Sequence, residues 1–181
     1  MVYCQDERLT IRSMEEGDIH PLCAAYNAQG WHDEVSDYLT RLQDQAEGRC
    51  IALIALYDNE PAGQVYLYLA AHGGPFRDKG WPIIVDFGVL QKFQRRGIGS
   101  RLMDIAEQLA AQHADAVCLG VGLSREYGSA QRMYARRGYI PDGSGVWYRD
   151  VQCVQYETLC TVDDDLVLYL SKALHSAPSY N

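Results

Sequence analysis

Gln94-Arg95-Arg96-Gly97-Ile98-Gly99 is the stretch that decides how this chain is read. It follows a short apolar run, Ile83 to Val89 (IIVDFGV), and opens a segment in which Ile98, Leu102, Ile105 and Leu109 recur at the helical period. Two glycines at a strand-to-helix junction let the backbone come close to a ligand without Cβ clashes. The unpaired N–H groups of the helix start, with the helix dipole behind them, favour an anion such as a pyrophosphate. Arg95 and Arg96 add positive charge beside it. Two other phosphate loops do not fit. A dinucleotide fingerprint needs a third glycine where Leu102 stands, and a P-loop needs Gly-Lys-Ser/Thr after a longer loop. A glycine-rich turn with no ligand is the plain alternative for any single GxG.

Working outward, Leu9 to Ser13 alternates as a short strand. Ser13 with Glu16 has the spacing of a capping box, ahead of a helix carrying Ile19, Leu22, Cys23 and Tyr26 on one face. A second helix is predicted over about Glu34 to Glu47, with Val35, Tyr38, Leu39 and Leu42 on one side and Gly48 ending it. Cys50 to Tyr57 and Gly63 to Ala71 read as strands joined by the turn residues Asp58-Asn59-Glu60-Pro61. Downstream of the loop come a buried-looking strand at Ala116 to Leu123, a helix at about Tyr127 to Arg137, and strands at Val146 to Arg149 and Leu166 to Leu170. The order β, α, α, β, β, β, α, β, α, β, β gives an α/β (α+β) fold around a mixed sheet of about seven strands, with no repeat and no linker. The length suits a single domain over residues 1–181.

Composition removes several functions. The net charge is −8 and no stripe gathers lysine and arginine, which argues against nucleic acid as the partner. No apolar run reaches bilayer length, and the opening MVYCQDERLTIRS lacks the pattern of a signal peptide, so the expectation is a cytoplasmic protein with no membrane partner. The six cysteines form no CxxC pair and no zinc spacing, and Cys50 and Cys118 sit in apolar runs as small hydrophobes. No metal is expected. An acidic surface suits cationic substrates such as amines.

The loop after the fourth predicted strand resembles the Q/R-x-x-G-x-G/A pyrophosphate loop of the GNAT acetyltransferases. Asp86-Phe87-Gly88-Val89 is similar to that family's D-L-A-V strand end, and Ala130, Tyr134 and Gly138-Tyr139 match its A-x-x-x-Y-x-x-x-G-F/Y pattern. Element order and spacing agree over roughly residues 8 to 172. The resemblance implies a sheet splayed between its fourth and fifth strands, four flanking helices and acetyl-CoA (coenzyme A) as co-substrate. It places the pantetheine on the backbone of Phe87, Gly88 and Val89, with a bulge at Gly88, and the pyrophosphate on Gln94, Arg95, Arg96, Gly97, Ile98, Gly99 and Ser100. Tyr127 stands where members often carry a cofactor-contacting asparagine, so with Ala130 it is expected at the cofactor. A homodimer through the final strands is a further family habit.

Acetyl transfer to an amine needs a neutral nitrogen, and a lysine-type amine has a pKa near ~10.4, so a proton must be removed. The departing thiolate needs a donor, for which Tyr134 is the first choice; a packing role for its ring is the alternative. Some members carry a glutamate on the fourth strand, but Ile83 stands there, leaving Asp86 as the strand's only carboxylate and the candidate base; capping a loop or pairing with an arginine are its other readings, and water with no side-chain base is the remaining route. Glu126, His32 and His72 are outside candidates. The resemblance puts Tyr26, Trp31, His32 and Glu34 at the acceptor site. Trp81, residues 72–79 and the tail from Trp147 to Asp165 face them, with Tyr148, Asp150, Tyr156 and Glu157 among the tail residues. A domain that binds acyl-CoA without turnover, or binds another phosphorylated ligand, is the competing reading.

Overall fold

Asp58 and Asn59 both take left-handed backbone, with φ of 52° and 65°, the pair that a two-residue hairpin turn requires. In the computed structural model, which describes residues 1–174, they join β3 (Cys50–Tyr57) directly to β4 (Glu60–Tyr68). Pairing therefore starts at Tyr57↔Glu60, three residues before the expected strand start at Gly63. Pro61, which has no N–H to give, falls at the irregularity beside Ala55 and Leu56.

The chain divides into two compact units, residues 1–68 with 84–109, and residues 69–83 with those from Ala110 on. In the first, β1 (Val2–Gln5), β2 (Leu9–Ser13), β3, β4 and β5 (Ile83–Val89) lie in that order, the first four pairing antiparallel. Leu53, Ile54, Val65 and Leu67 are fully buried in its core, each contributing about 1.5–3 kcal/mol. α1 (Ile19–Ala28) and α2 (Val35–Ala46) pack against β4 and β3, and α3 (Ile98–Ala110) follows β5 in the same unit. The periodic residues of α1 and the first three of the α3 stripe are buried as the spacing requires.

Three local expectations are corrected. Ser13 still belongs to β2, opposite Leu53, so the reciprocal cap before α1 is made by Glu15 and Asp18, whose carboxylate is gripped by Arg12 at 2.7 Å. Leu39 is 48% exposed and Tyr38 is the buried residue of α2, while Gln45 bonds Met14 O and the Ala52 N–H. The left-handed residue of β5 is Asp86, with φ 46°, and not Gly88. Among the described residues the sheet has nine strands, the seven expected with β1 and β8 added.

The second unit orders its strands β6-β9-β7-β8, from β6 (Ala116–Gly122), β7 (Ile140–Tyr148), β8 (Val151–Gln152) and β9 (Leu166–Ala173), all antiparallel. β7 begins earlier than its apolar end at Val146 suggests, with left-handed Gly143 and Gly145 inside its irregular stretch. Between β6 and β7 lies α4 (Gly128–Arg136). Among the described residues no helix is long and apolar enough to cross a membrane, and no group of three or more metal-ligating side chains occurs.

Candidate active site

The loop into α3 is built by two left-handed residues, Arg95 at φ 62° and Gly97 at φ 80°. Their turn aims the chain into a thirteen-residue helix whose first backbone bond is Arg101 N to Gly97 O, so the amides before it have no helical acceptor. A Cβ at Gly97 would meet nothing within 4 Å, which leaves its face open to a ligand. At Gly99 a Cβ would lie 3.1 Å from Phe87 Cζ, so this glycine lets α3 sit close on β5. Gln94 turns back and donates Nε2–H to Val89 O at 3.1 Å, tying the loop to the strand. Arg95 has no partner among the described residues, whereas Arg96 lies over the Tyr57 ring at 5.1 Å. Arg96, Gly97 and Arg101 also border a groove of about 410 Å³ with Arg8 and Tyr57. The loop thus offers free amides, one unspent guanidinium and no side chain in the way, a donor set that fits a pyrophosphate.

On the other face of β5, Asp86 Oδ2 accepts Arg41 Nη2–H at 2.6 Å, and the carboxylate is 50% exposed. Arg41 also donates to the Tyr68 hydroxyl at 2.7 Å, and that hydroxyl donates to Asp44. The arginine pairing expected as one reading of Asp86 is present, through one carboxylate oxygen. Gly88 lies under the aromatic pair Tyr26 and Trp31, which stack with centroids 4.8 Å apart. A Cβ at Gly88 would come within 2.7 Å of Tyr26 Oη and 3.5 Å of Trp31 Cζ3, so the glycine is required by this close approach rather than by its φ. Tyr26 is fully buried, and burial with the nearby Asp33 pushes its ionisation far above the ordinary tyrosine range. The loop carrying Trp31 is clamped at its base by Asn27, which bonds both the N–H (2.8 Å) and the carbonyl (3.0 Å) of Asp33. His32 and Glu34 are exposed.

In the second unit Tyr134 is buried on α4, tilted against Tyr139 at 5.7 Å, and burial pushes its ionisation well up, so it stays protonated at neutral pH. Ala130, one turn earlier, is half-buried. The Tyr127 ring lies against Gly122, where a Cβ would collide with it, and its hydroxyl donates to Asp164 at 2.9 Å. Asp150 holds the 73–77 segment, accepting the Gly74 N–H at 2.5 Å, Arg77 at 2.8 Å and the Tyr169 hydroxyl at 3.2 Å. Trp81 packs on Phe76 at 5.6 Å. Tyr148 bonds Asp163 at 3.0 Å, while Tyr156 is 98% exposed. These tail residues are spent on local structure more than on an open acidic surface.

Arg41 and Gln29 were not singled out from the sequence. Arg41 follows the inward Tyr38 by three residues, a legible helical spacing, but its partner Asp86 is 45 residues away. Gln29 accepts the Gln91 N–H on Oε1 at 3.0 Å, and nothing local announces that bond. Cys50 and Cys118 are buried thiols pushed up to about 12 by burial, inert as expected.

Comparison with known proteins places this geometry. No curated protein sequence matches the chain. Among solved structures, ribosomal L7/L12 alpha-N-protein acetyltransferase RimL in complex with coenzyme A is similar at TM-score 0.70 and 12% identity, over 98% of this chain and 100% of that one. Ard1 from Thermoplasma volcanium gives 0.67 at 18% identity, over 93% and 99%. The ribosomal-protein-S18-alanine N-acetyltransferase from Escherichia coli gives 0.67 at 13%, over 94% and 97%. The sequence itself matches the acetyltransferase (GNAT) family over residues 17–139, more than half of the chain, and with the loop and fold described above the protein belongs to that family and is an acyltransferase.

Proposed function

We propose that this chain moves the acetyl group of acetyl-CoA to a primary amine of a small molecule, peptide or protein, by direct attack of the amine in a ternary complex. The observation that carries the reading is the α3 loop, where left-handed Arg95 and Gly97 turn the chain into the helix start and the space a Cβ at Gly97 would take is open. Gln94 to Ser100 would hold the pyrophosphate, and the backbone of Phe87, Gly88 and Val89 the pantetheine. Tyr127 and Ala130 are assigned to the cofactor by their motif positions. Acetyl-CoA supplies the thioester. Tyr134, kept protonated by burial, gives the proton that the departing thiolate takes up. Asp86 is proposed to receive the amine's proton on Oδ1, the oxygen Arg41 leaves free.

RimL and the S18 enzyme are named for ribosomal-protein substrates, which favours a protein amine here. Six free thiols suit a cytoplasmic enzyme. Calorimetric titration with acetyl-CoA, then thiol release over an amine panel, tests the reading. Micromolar binding and thiol release with an amine are expected; no binding at millimolar acetyl-CoA would overturn it.

A further inference from the structure

Cys153 directly follows β8 in the second unit, and the chain turns back so that its thiol shares a hydrogen bond with the thiol of Cys160. The backbone between them is folded to make that meeting. Cys153 is fixed to β7 by its N–H, which donates to Val146 O at 2.8 Å. Glu157 and Thr158 both donate N–H to Val154 O, at 3.1 and 3.0 Å, and the Val154 N–H donates to Thr158 Oγ1 at 2.8 Å. Tyr156 takes left-handed backbone inside this turn, at φ 69°. Both thiols are free, Cys153 half-buried and Cys160 exposed. Tyr156 and Leu159 face solvent at 98% and 97% exposure, which leaves the turn open to a small reagent.

The other four thiols lack this arrangement. Cys23, Cys50 and Cys118 are buried, and Cys4, in the first unit, accepts Arg101 Nη1–H at 3.1 Å. Two thiols in contact react with a disulfide as a unit: the accessible one attacks the reagent, and its neighbour then displaces the adduct within the chain. Burial first, then Cys160 itself, raises the Cys153 thiol above its ordinary value, so Cys153 is the poorer thiolate for the first attack and is placed for the second.

We propose that Cys153 and Cys160 form a reversible oxidation site that takes a low-molecular-weight disulfide such as oxidised glutathione. The Cys160 thiolate attacks one glutathione sulfur, the S–S bond of the reagent breaks, and one glutathione thiolate leaves. The Cys153 thiolate then attacks the Cys160 sulfur and expels the second. Two protein thiols are oxidised to one disulfide, the reagent is reduced to two thiols, and the two protons pass to the departing thiolates. The closed ring ends three residues before Asp163, in the segment where Asp163 and Asp164 accept the Tyr148 and Tyr127 hydroxyls at 3.0 and 2.9 Å. Oxidation therefore braces the segment to which Tyr127 is tied.

Wild type, Cys153→Ser, Cys160→Ser and Cys4→Ser are incubated with oxidised glutathione at pH 8, quenched in acid and mapped by mass spectrometry after cleavage at Glu157 with a glutamyl endoprotease. Wild type should lose the mass of two hydrogens, and the fragments on either side of Glu157 should stay joined until a reductant is added. Cys153→Ser should stop at one glutathione on Cys160. Cys160→Ser, left with the half-buried thiol alone, should react about tenfold more slowly. Cys4→Ser should behave as wild type. Amide exchange over residues 161–165 should slow about tenfold in the bridged protein relative to the reduced one. A wild-type chain that stops at a glutathione adduct of Cys160, or that links Cys160 to Cys4 as readily as to Cys153, overturns the proposal. Exchange that the bridge leaves unchanged overturns the bracing. None of these readouts uses acetyl-CoA, so the result stands apart from the acetyltransferase reading.

Discussion

Tyr134 is placed by α4 with its ring buried against Tyr139, and burial keeps its proton on at any pH near neutrality. A general acid of this kind contributes about a hundredfold or more to rate. Tyr134→Phe should therefore lower kcat about a hundredfold while acetyl-CoA affinity, read by calorimetry, stays within about twofold. Because the ionisation of Tyr134 is raised, the protonated form persists until pH passes the folded value. The wild-type kcat profile should then show no fall from this group up to about pH 10. Unchanged turnover in the phenylalanine variant would return Tyr134 to a packing role. The thiols make a separate residue-scale test. Cys160 is exposed, whereas Cys50 and Cys118 are buried and pushed up to about 12. Iodoacetamide at pH 8 should label Cys160 in the native protein and reach the other two only on unfolding, with mass spectrometry as the readout.

At the scale of elements, α2 is fastened to β4 through Asp44, which accepts the Tyr68 hydroxyl and pairs with Arg49. The Tyr68 bond first, then Arg49, holds the Asp44 carboxyl below the usual carboxylate range. A depressed carboxylate contributes stability that is present above its ordinary value and is lost as pH falls through the folded one. Wild type should thus lose melting temperature below about pH 4. Asp44→Asn should be less stable at pH 7 and lose less between pH 7 and pH 3; an identical acid loss in the two proteins would show the tie to be inert. Elements with a strong period were legible in the sequence. The stripe of α3, the buried face of α1 and the run of β5 lie where spacing put them. Short edge strands were not, since VYCQ and the two residues of β8 are too brief to show alternation. The cap before α1 was misplaced because strand pairing at Ser13 outcompeted a local signal, a tertiary contact that no window of sequence contains.

The whole molecule carries a net charge of −8, yet the loop proposed to hold the pyrophosphate gathers Arg95 and Arg96 at a helix start, so on that reading local geometry rather than overall charge draws the anionic co-substrate. That loop was readable because glycine spacing and helix period are both local. The packing at the end of α1 was not, because Tyr26 and Gln29 meet Gly88 and Gln91, some sixty residues on. Binding to the folded chain alone must raise its stability as a whole, by about 2.7 kcal/mol at a hundred times Kd. For a chain of this size that is roughly 5–10 °C in Tm. Acetyl-CoA should give wild type such a shift in a thermal melt. Gly97→Glu combines a carboxylate at the cradle with a side chain at φ 80°, a strain of about 1–2 kcal/mol, so it should melt a few degrees lower without ligand and show no shift with it. Gly97→Asn, which tolerates left-handed backbone and adds no charge, should recover most of both. A full shift in Gly97→Glu would move the pyrophosphate away from this loop, whereas its loss in both variants would show that the bare backbone, rather than charge, is what the ligand reads at position 97.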